Sequence, residues 1–506
     1  MTRLEYLGGR EAVIAGILEE FQGLSARPHG SGQEEAESRY LVERLEGLGL
    51  SPVRDRAGNV MADVPATPGR EESPLLILQG HMDMVCTVRP GSGFDPRRDP
   101  PRVVVRDGFV RTDGNSTLGA DNNLGNAVVL YLLAQGVEHG PLRLLFTVSE
   151  EVGLKGAAQV DPSWLAGAYG LLNTDGFHFG RAIAGSAGGR RETYVRTLER
   201  RAAAGTEGWH IALTGGTGGH SGDDIHRGRL NAVQTLASFL QDRAADWEVA
   251  EFSGGSAHNA IPASAQAVLV LPAGQEGLLQ ERVAALRAEI TRRYGESDPH
   301  ARVEVEPVPC PEQVWSGETV RAVCGLAAGL FHGVYAMHPA FPNVVGASAN
   351  VAAVQLRGEE AAVLAFIRCA RREEEAILFP MHDAAAAQAG FALREVSYYP
   401  GWPGDPQSRL IQVLCQSYQE AVGRKMEVTA VHVGLEPSVL GEKAPGMVMV
   451  SAGPDILDAH SVDERAPLDT LPDYASTLAG VLAGIGGKCD KNSIQSSFVT
   501  TCIHGK

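Results

Sequence analysis

The run Leu142-Arg143-Leu144-Leu145-Phe146-Thr147-Val148 passes directly into Ser149-Glu150-Glu151-Val152-Gly153. A short, nearly continuous apolar run reads as a strand buried on both faces, because such a strand need not alternate. Two adjacent carboxylates then stand at its carboxyl end, where open α/β sheets build their sites. Adjacent acids can divide hydrolytic work, one holding a cation while its neighbour moves a proton. An acidic doublet alone is most often a solvated loop, so its weight depends on what stands at the ends of the other runs.

Those ends carry the same kind of residue. Leu75-Leu76-Ile77-Leu78 leads to His81-Met82-Asp83, and Tyr169 to Leu172 leads to Asn173-Thr174-Asp175. Met447 to Val450 is followed ten residues on by His460, and Gly119-Ala120-Asp121-Asn122 opens a helical pattern that runs to Ala134. A further strand is expected over Asn59 to Val64. Ser31-x-x-Glu34 reads as a capping box opening a helix that Gly47-Leu48-Gly49 ends. Short apolar runs alternating with helices predict an α/β domain, a mostly parallel sheet with helices on both faces.

The middle of the chain has another texture. Strand-like runs at Trp209 to Thr214, Ala267 to Leu271, Val351 to Leu356 and Val363 to Arg368 interleave with helices at Leu230 to Asp242 and Leu278 to Arg293, which predicts a separate α+β domain. Turn-rich Tyr399-Pro400-Gly401-Trp402-Pro403 marks the junction back. The expected division is a first domain of residues 1–187 and 400–486, an inserted domain of 188–399, and a polar, aperiodic tail of 487–506 expected to be disordered.

The chain has 506 residues, enough for two cores, and a formal net charge of -17. That balance argues against nucleic acid or an anionic membrane as partner, and no apolar stretch is long enough to span a bilayer. Met1-Thr2-Arg3-Leu4-Glu5 lacks the pattern of a signal peptide, and seven cysteines without a C-x-x-C pair fit a reducing compartment, so a cytoplasmic protein is expected. Any metal must then be held by His and carboxylate, which suits zinc, manganese or cobalt. Taken singly, His81 could be a core histidine, Asp121 a helix cap, Asp175 a turn former and His460 a loop residue. Together, two imidazoles and five acids on one edge would repel one another unless divalent ions neutralised them. Two metals about 3.5–4 Å apart, sharing a carboxylate and a water, are the recurring arrangement for such hydrolysis.

His81-Met82-Asp83-Met84-Val85, Leu118-Gly119-Ala120-Asp121-Asn122, Ser149-Glu150-Glu151, Asn173-Thr174-Asp175, Gly218-Gly219-His220-Ser221-Gly222, Asn259-Ala260-Ile261-Pro262 and Gly453-Pro454 with His460-Ser461 together resemble the aminoacyl-histidine dipeptidases, a bacterial carnosinase-type family within the dinuclear zinc peptidases and aminoacylases. The resemblance runs in order from about residue 10 to 485. It implies two divalent ions, zinc before cobalt or manganese, with His81 and Asp175 on one, Glu151 and His460 on the other, and Asp121 bridging. It further implies Glu150 as general base, Asp83 as the residue orienting His81, and the inserted domain as a lid. His220, Asn259 and Arg368 would there polarise the scissile carbonyl or hold the substrate's carboxylate, although Arg371 and Arg372 stand close enough to take the place of Arg368. Pro437-Ser438 departs from the small pair usual in the family, and Cys369 stands where Ser is more common. The substrate so implied is a small unblocked dipeptide such as Xaa-His, with a homodimer through the lid as a possible assembly. A deacylase or tripeptidase of the same zinc group is the alternative, followed by a non-catalytic metal-binding scaffold.

Overall fold

Each apolar run of the first domain forms a strand: Leu76–His81, Leu142–Thr147, Gly170–Asn173 and Val448–Ser451. They are seen in a computed structural model that describes residues 2–241 and 246–485; the tail expected to be disordered, 487–506, lies outside the described residues. The four pair in parallel, in the spatial order Leu142–Thr147, Leu76–His81, Gly170–Asn173, Val448–Ser451. Val60–Val64 joins antiparallel beside Leu142–Thr147, with Val53–Arg54 outside it. All six residues of Leu76–His81 are buried, as a strand with neighbours on both sides and helices above requires. Because the parallel strands share direction and register, His81 lies opposite Thr147, and the groups that follow these strands emerge at one edge.

Helix Ala120–Ala134 is buried from Ala120 through Leu132, so its polar residues near the start are paired internally, Asn126 Nδ2 donating to the His81 carbonyl at 2.7 Å, and its later turns are apolar. It packs against helix Arg10–Ser25 and strand Leu76–His81. Helix Glu35–Gly47 begins without a side-chain cap, contrary to the expected Ser31–Glu34 capping box. The Ser31 hydroxyl instead donates to Asp83 Oδ2 at 2.8 Å, and Glu34 Oε1 accepts from Ser149 N at 2.9 Å. Buried partners at the sheet edge outcompete a local cap, since leaving those groups unpaired would cost more than losing it.

By its contacts the chain divides into one unit of Met1–Ala182, Gln407–Val428 and the chain from Lys443, and a second of Ile183–Pro406 with Thr429–Glu442. The segment Thr429–Glu442 was expected in the first domain but packs with the second unit. That unit is built on a nine-stranded sheet whose pairs are antiparallel, including Glu207–Thr214, Ala265–Leu271, Val345–Arg357 and Glu360–Cys369. Helices Ala232–Leu240, Glu276–Tyr294 and Gly317–Gly329 contribute Leu236, Val283 and Val323 to its core. Among the described residues no helix is long and apolar enough to cross a membrane.

Candidate metal centre

Asp121 stands at the middle of the edge. Its Oδ1 lies 3.1 Å from His81 Nε2 and its Oδ2 lies 3.0 Å from His460 Nε2, so one carboxylate faces two imidazoles from its two oxygens. Glu151 Oε1 is 3.0 Å from the same His460 nitrogen, and Asp175 Oδ2 is 4.0 Å from His81 Nε2. Ligand atoms of His81, Asp121 and Glu151 all fall within 4.8 Å of one another. All five residues belong to the first unit.

Backbone and buried side chains fix each of them. His81 Nδ1 donates to the Asp83 carbonyl at 3.0 Å, which leaves Nε2 as the atom turned to the cluster. The Asp83 carboxylate lies 3.5 Å from the same Nδ1 and accepts from Ser31 Oγ, Glu150 N at 2.9 Å and Glu151 N at 3.3 Å. One buried acid thus ties the His81 loop to the Glu150-Glu151 turn. Ser149 and His460 both have left-handed backbone, with φ of 53° and 63°. For a residue with a Cβ this costs about 1–2 kcal/mol, a strain kept where side-chain direction matters more than local stability. Glu34 holds the first of these turns through Ser149 N and Oγ, and Thr87 Oγ1 holds the second by donating to the His460 carbonyl at 2.7 Å.

The start of helix Ala120–Ala134 shows a residue that the sequence reading missed. Gly119 has φ 75° and no side chain caps the helix locally. The carboxylate of Glu464 accepts instead from the N–H groups of Leu118, Gly119, Ala120 and Asp121, at 2.8 to 3.3 Å. This frees Asp121 from capping duty, so its side chain turns to the imidazoles. Burial, with the charge of Asp121 behind it, pushes the Glu464 carboxyl up to about 7 despite those donors. The signal available in sequence was only its position four residues after His460. Strand Arg465–Pro467, paired with Phe109–Thr112, holds it in place.

The electrostatics favour a cation here. The Asp121 carboxylate, which accepts from His460 Nε2, and the Glu151 carboxylate beside it push His460 up to about 10. Burial alone would lower His81, but hydrogen bonds with Asp121 and Asp83 and the charges of Asp121 and Glu150 outweigh it and raise it well above the ordinary value. Burial, then the charge of Asp121, raises Glu151. His460 Nε2 has one hydrogen and faces two carboxylate oxygens, so Glu151 Oε1 is left without a donor. Protons are an incomplete filling for this donor set, and His with carboxylate at these separations suits zinc, manganese or cobalt. A divalent ion would have to displace the imidazolium protons, so its affinity is expected to rise with pH, about tenfold per pH unit for each proton displaced, until the displaced group has deprotonated. Calorimetric titration of metal-free protein in two buffers of different ionisation enthalpy should register release of roughly one to two protons at pH 7; no proton release would refute this account.

The remaining candidates lie in the second unit. Arg368 is buried, donates to Tyr399 Oη at 3.2 Å and stacks over the Phe366 ring, with its Nε lacking a partner. Arg371 and Arg372 are not equivalent to it, being ion-paired to Glu374 and Glu375. His220 Nδ1 lies 3.2 Å from Asp223 Oδ2, whose pKa is lowered first by that hydrogen bond and further by the charges of His220, Arg368 and His432. Asn259 is exposed, and its carbonyl accepts from Ser221 N at 2.8 Å. His432 is buried beside Ser348, with Nε2 to Oγ at 2.7 Å, and burial drops it to about 3. Ser348 is the cross-strand neighbour of Arg368.

The chain belongs to peptidase family M20/M25/M40, whose model matches residues 77–484. Over 472 residues it is 31% identical to the cytosol non-specific dipeptidase of Escherichia coli (strain K12), an alignment covering 92% of this chain and 97% of that protein. Its structure superposes on the aminoacylhistidine dipeptidase of Vibrio alginolyticus with a TM-score of 0.86 at 32% identity, over 94% of this chain and 97% of that one. Aminopeptidase PepT from Bacillus cereus ATCC 10987, at 15% identity and a TM-score of 0.54 over 94% and 99% of the two chains, shares the fold.

Proposed function

We propose that this peptidase is a metallo-dipeptidase that hydrolyses unblocked dipeptides, Xaa-His among them, at the edge occupied by Asp121. The observation that carries the reading is that Asp121 presents one oxygen to His81 and the other to His460. His81 with Asp175, and His460 with Glu151, would hold one divalent ion each, zinc before cobalt or manganese, with Asp121 shared. Such a pair supplies a water of lowered pKa and an electrophilic partner for the scissile carbonyl. Glu150 takes the proton of the attacking water and returns it to the leaving amine. Asp83 keeps His81 and the Glu150-Glu151 turn in mutual register through the bonds described above. In the second unit, Arg368 carries a planar guanidinium of the kind that binds both oxygens of a carboxylate, and His220 and Asn259 carry side chains able to donate to a carbonyl oxygen. A dipeptide over an acetylated amino acid is also the direction in which the two relatives named as dipeptidases point.

A panel of Leu-His, carnosine, unrelated dipeptides, tripeptides and N-acetyl amino acids tests it. Turnover is expected on dipeptides, to vanish with chelator and to return with added divalent metal. Preference for acetylated amino acids or tripeptides would overturn the assignment, and metal binding without turnover on any peptide would make the chain a scaffold.

A further inference from the structure

The loop after Asp175 holds an aromatic ring in water beside a candidate metal ligand. Phe177 is 38% exposed, and its ring stands perpendicular to that of His460 with centroids 6.5 Å apart. On the neighbouring loop Val152, next to Glu151, is exposed as well. A large apolar side chain held in water beside a polar reactive edge is a surface that an apolar group of a ligand can cover with gain.

The ring is not exposed because its loop is loose. The Phe177 carbonyl accepts from Ile456 N at 3.2 Å, and Phe179 N donates to Asp455 Oδ1 at 2.8 Å. Phe179 packs edge-on against Tyr418 and Tyr474 at 5.1 and 5.8 Å. Gly176 lies so close to Gly453 that a Cβ would meet its nitrogen at 2.6 Å. Of two aromatics separated by one residue, Phe179 anchors the loop and Phe177 is presented on it. A fixed apolar surface loses little entropy when a ligand covers it.

We infer that Phe177 is a specificity-determining surface that receives the side chain of the substrate's N-terminal residue and favours apolar ones such as Leu, Met and Phe. This rests on the dipeptidase reading. In a dipeptide the attacked carbonyl belongs to the N-terminal residue, whose side chain branches from the adjoining carbon, whereas that of the C-terminal residue lies beyond the scissile nitrogen. Groups ringing the metal ligands are therefore met first by the N-terminal side chain.

The test compares kcat/KM for Leu-His and Gly-His in the wild type, Phe177→Ala and Phe177→Leu, with metal content measured in each. The wild type is expected to favour Leu-His, and Phe177→Ala to reduce the Leu-His to Gly-His ratio by about tenfold, mainly through KM, the scale of a lost apolar pocket contact. Phe177→Leu should retain most of the ratio, and all three proteins should hold equal metal. An unchanged ratio, or an equal loss on both substrates with reduced metal, would overturn the inference, the second result showing that the ring only braces His460. Either leaves the dipeptidase reading standing if the wild type turns over both substrates; a metal-loaded wild type that cleaves neither overturns that reading and this inference with it.

Discussion

Glu150→Ala is expected to lower kcat by about 10²–10⁴-fold, the range lost with a general base, in a protein whose metal content is unchanged. The two neighbouring acids are held by one turn but point to different duties. Glu151 has an oxygen within 4.8 Å of the ligand atoms of His81 and Asp121. The backbone bond that positions Glu150 runs from its N–H to Asp83 Oδ1, and truncating the side chain does not remove it. Its charge is nevertheless felt at His81, which places it near the reacting centre. Metal analysis and steady-state kinetics on the same sample check both halves. Full activity would remove Glu150 from the mechanism, whereas loss of metal would make it a ligand.

Asp121→Ala should fail in the opposite order, losing metal first and activity as a consequence. Two imidazoles face this one carboxylate, so its removal deprives both candidate positions of an anionic donor. Outer-shell partners cost about 10–100-fold in metal affinity when removed; losing a shared ligand is expected to exceed about 100-fold. Competition with a chromophoric chelator measures it. The same substitution should lower the His460 pKa from about 10, since the Asp121 hydrogen bond is the largest contribution to it. Titration of the metal-free variant by NMR would show that shift. Near-normal metal content would sink the bridging role.

The ends of the parallel strands were legible because buried runs such as Leu76-Ile77-Leu78 and Leu142 to Val148 admit few readings, and the polar groups that follow them must then share an edge. Helix Ala120–Ala134 was legible for a similar reason, its run from Ala127 to Ala134 being apolar and following a start marked by Gly119. Ser31 and Glu34 were misread because a local pattern satisfies the capping rule, while their partners, Asp83 and Ser149, are brought near only by the fold. Glu464 escaped notice for the same cause: its four donors lie 343 to 346 residues away, and no spacing rule reaches that far. Nothing in the sequence around Phe177 separates it from Phe179; only the fold exposes the one and packs the other's ring against Tyr418 and Tyr474. Sequence periodicity reports what a residue does within its own element; it is silent on bonds between distant loops.

The order in which the chain is made gives the centre a further property. His81, Asp121, Glu151 and Asp175 leave the ribosome well before His460, Glu464 and the strand Val448–Ser451 that pairs with Gly170–Asn173. Closing contacts over such separations is slow and comes late. A chain halted before Val448 would carry four of the five candidate ligands on a sheet with one side unpaired, without the second imidazole. Assembly of the full centre thus waits for the second imidazole, and a product halted before His460 cannot complete it.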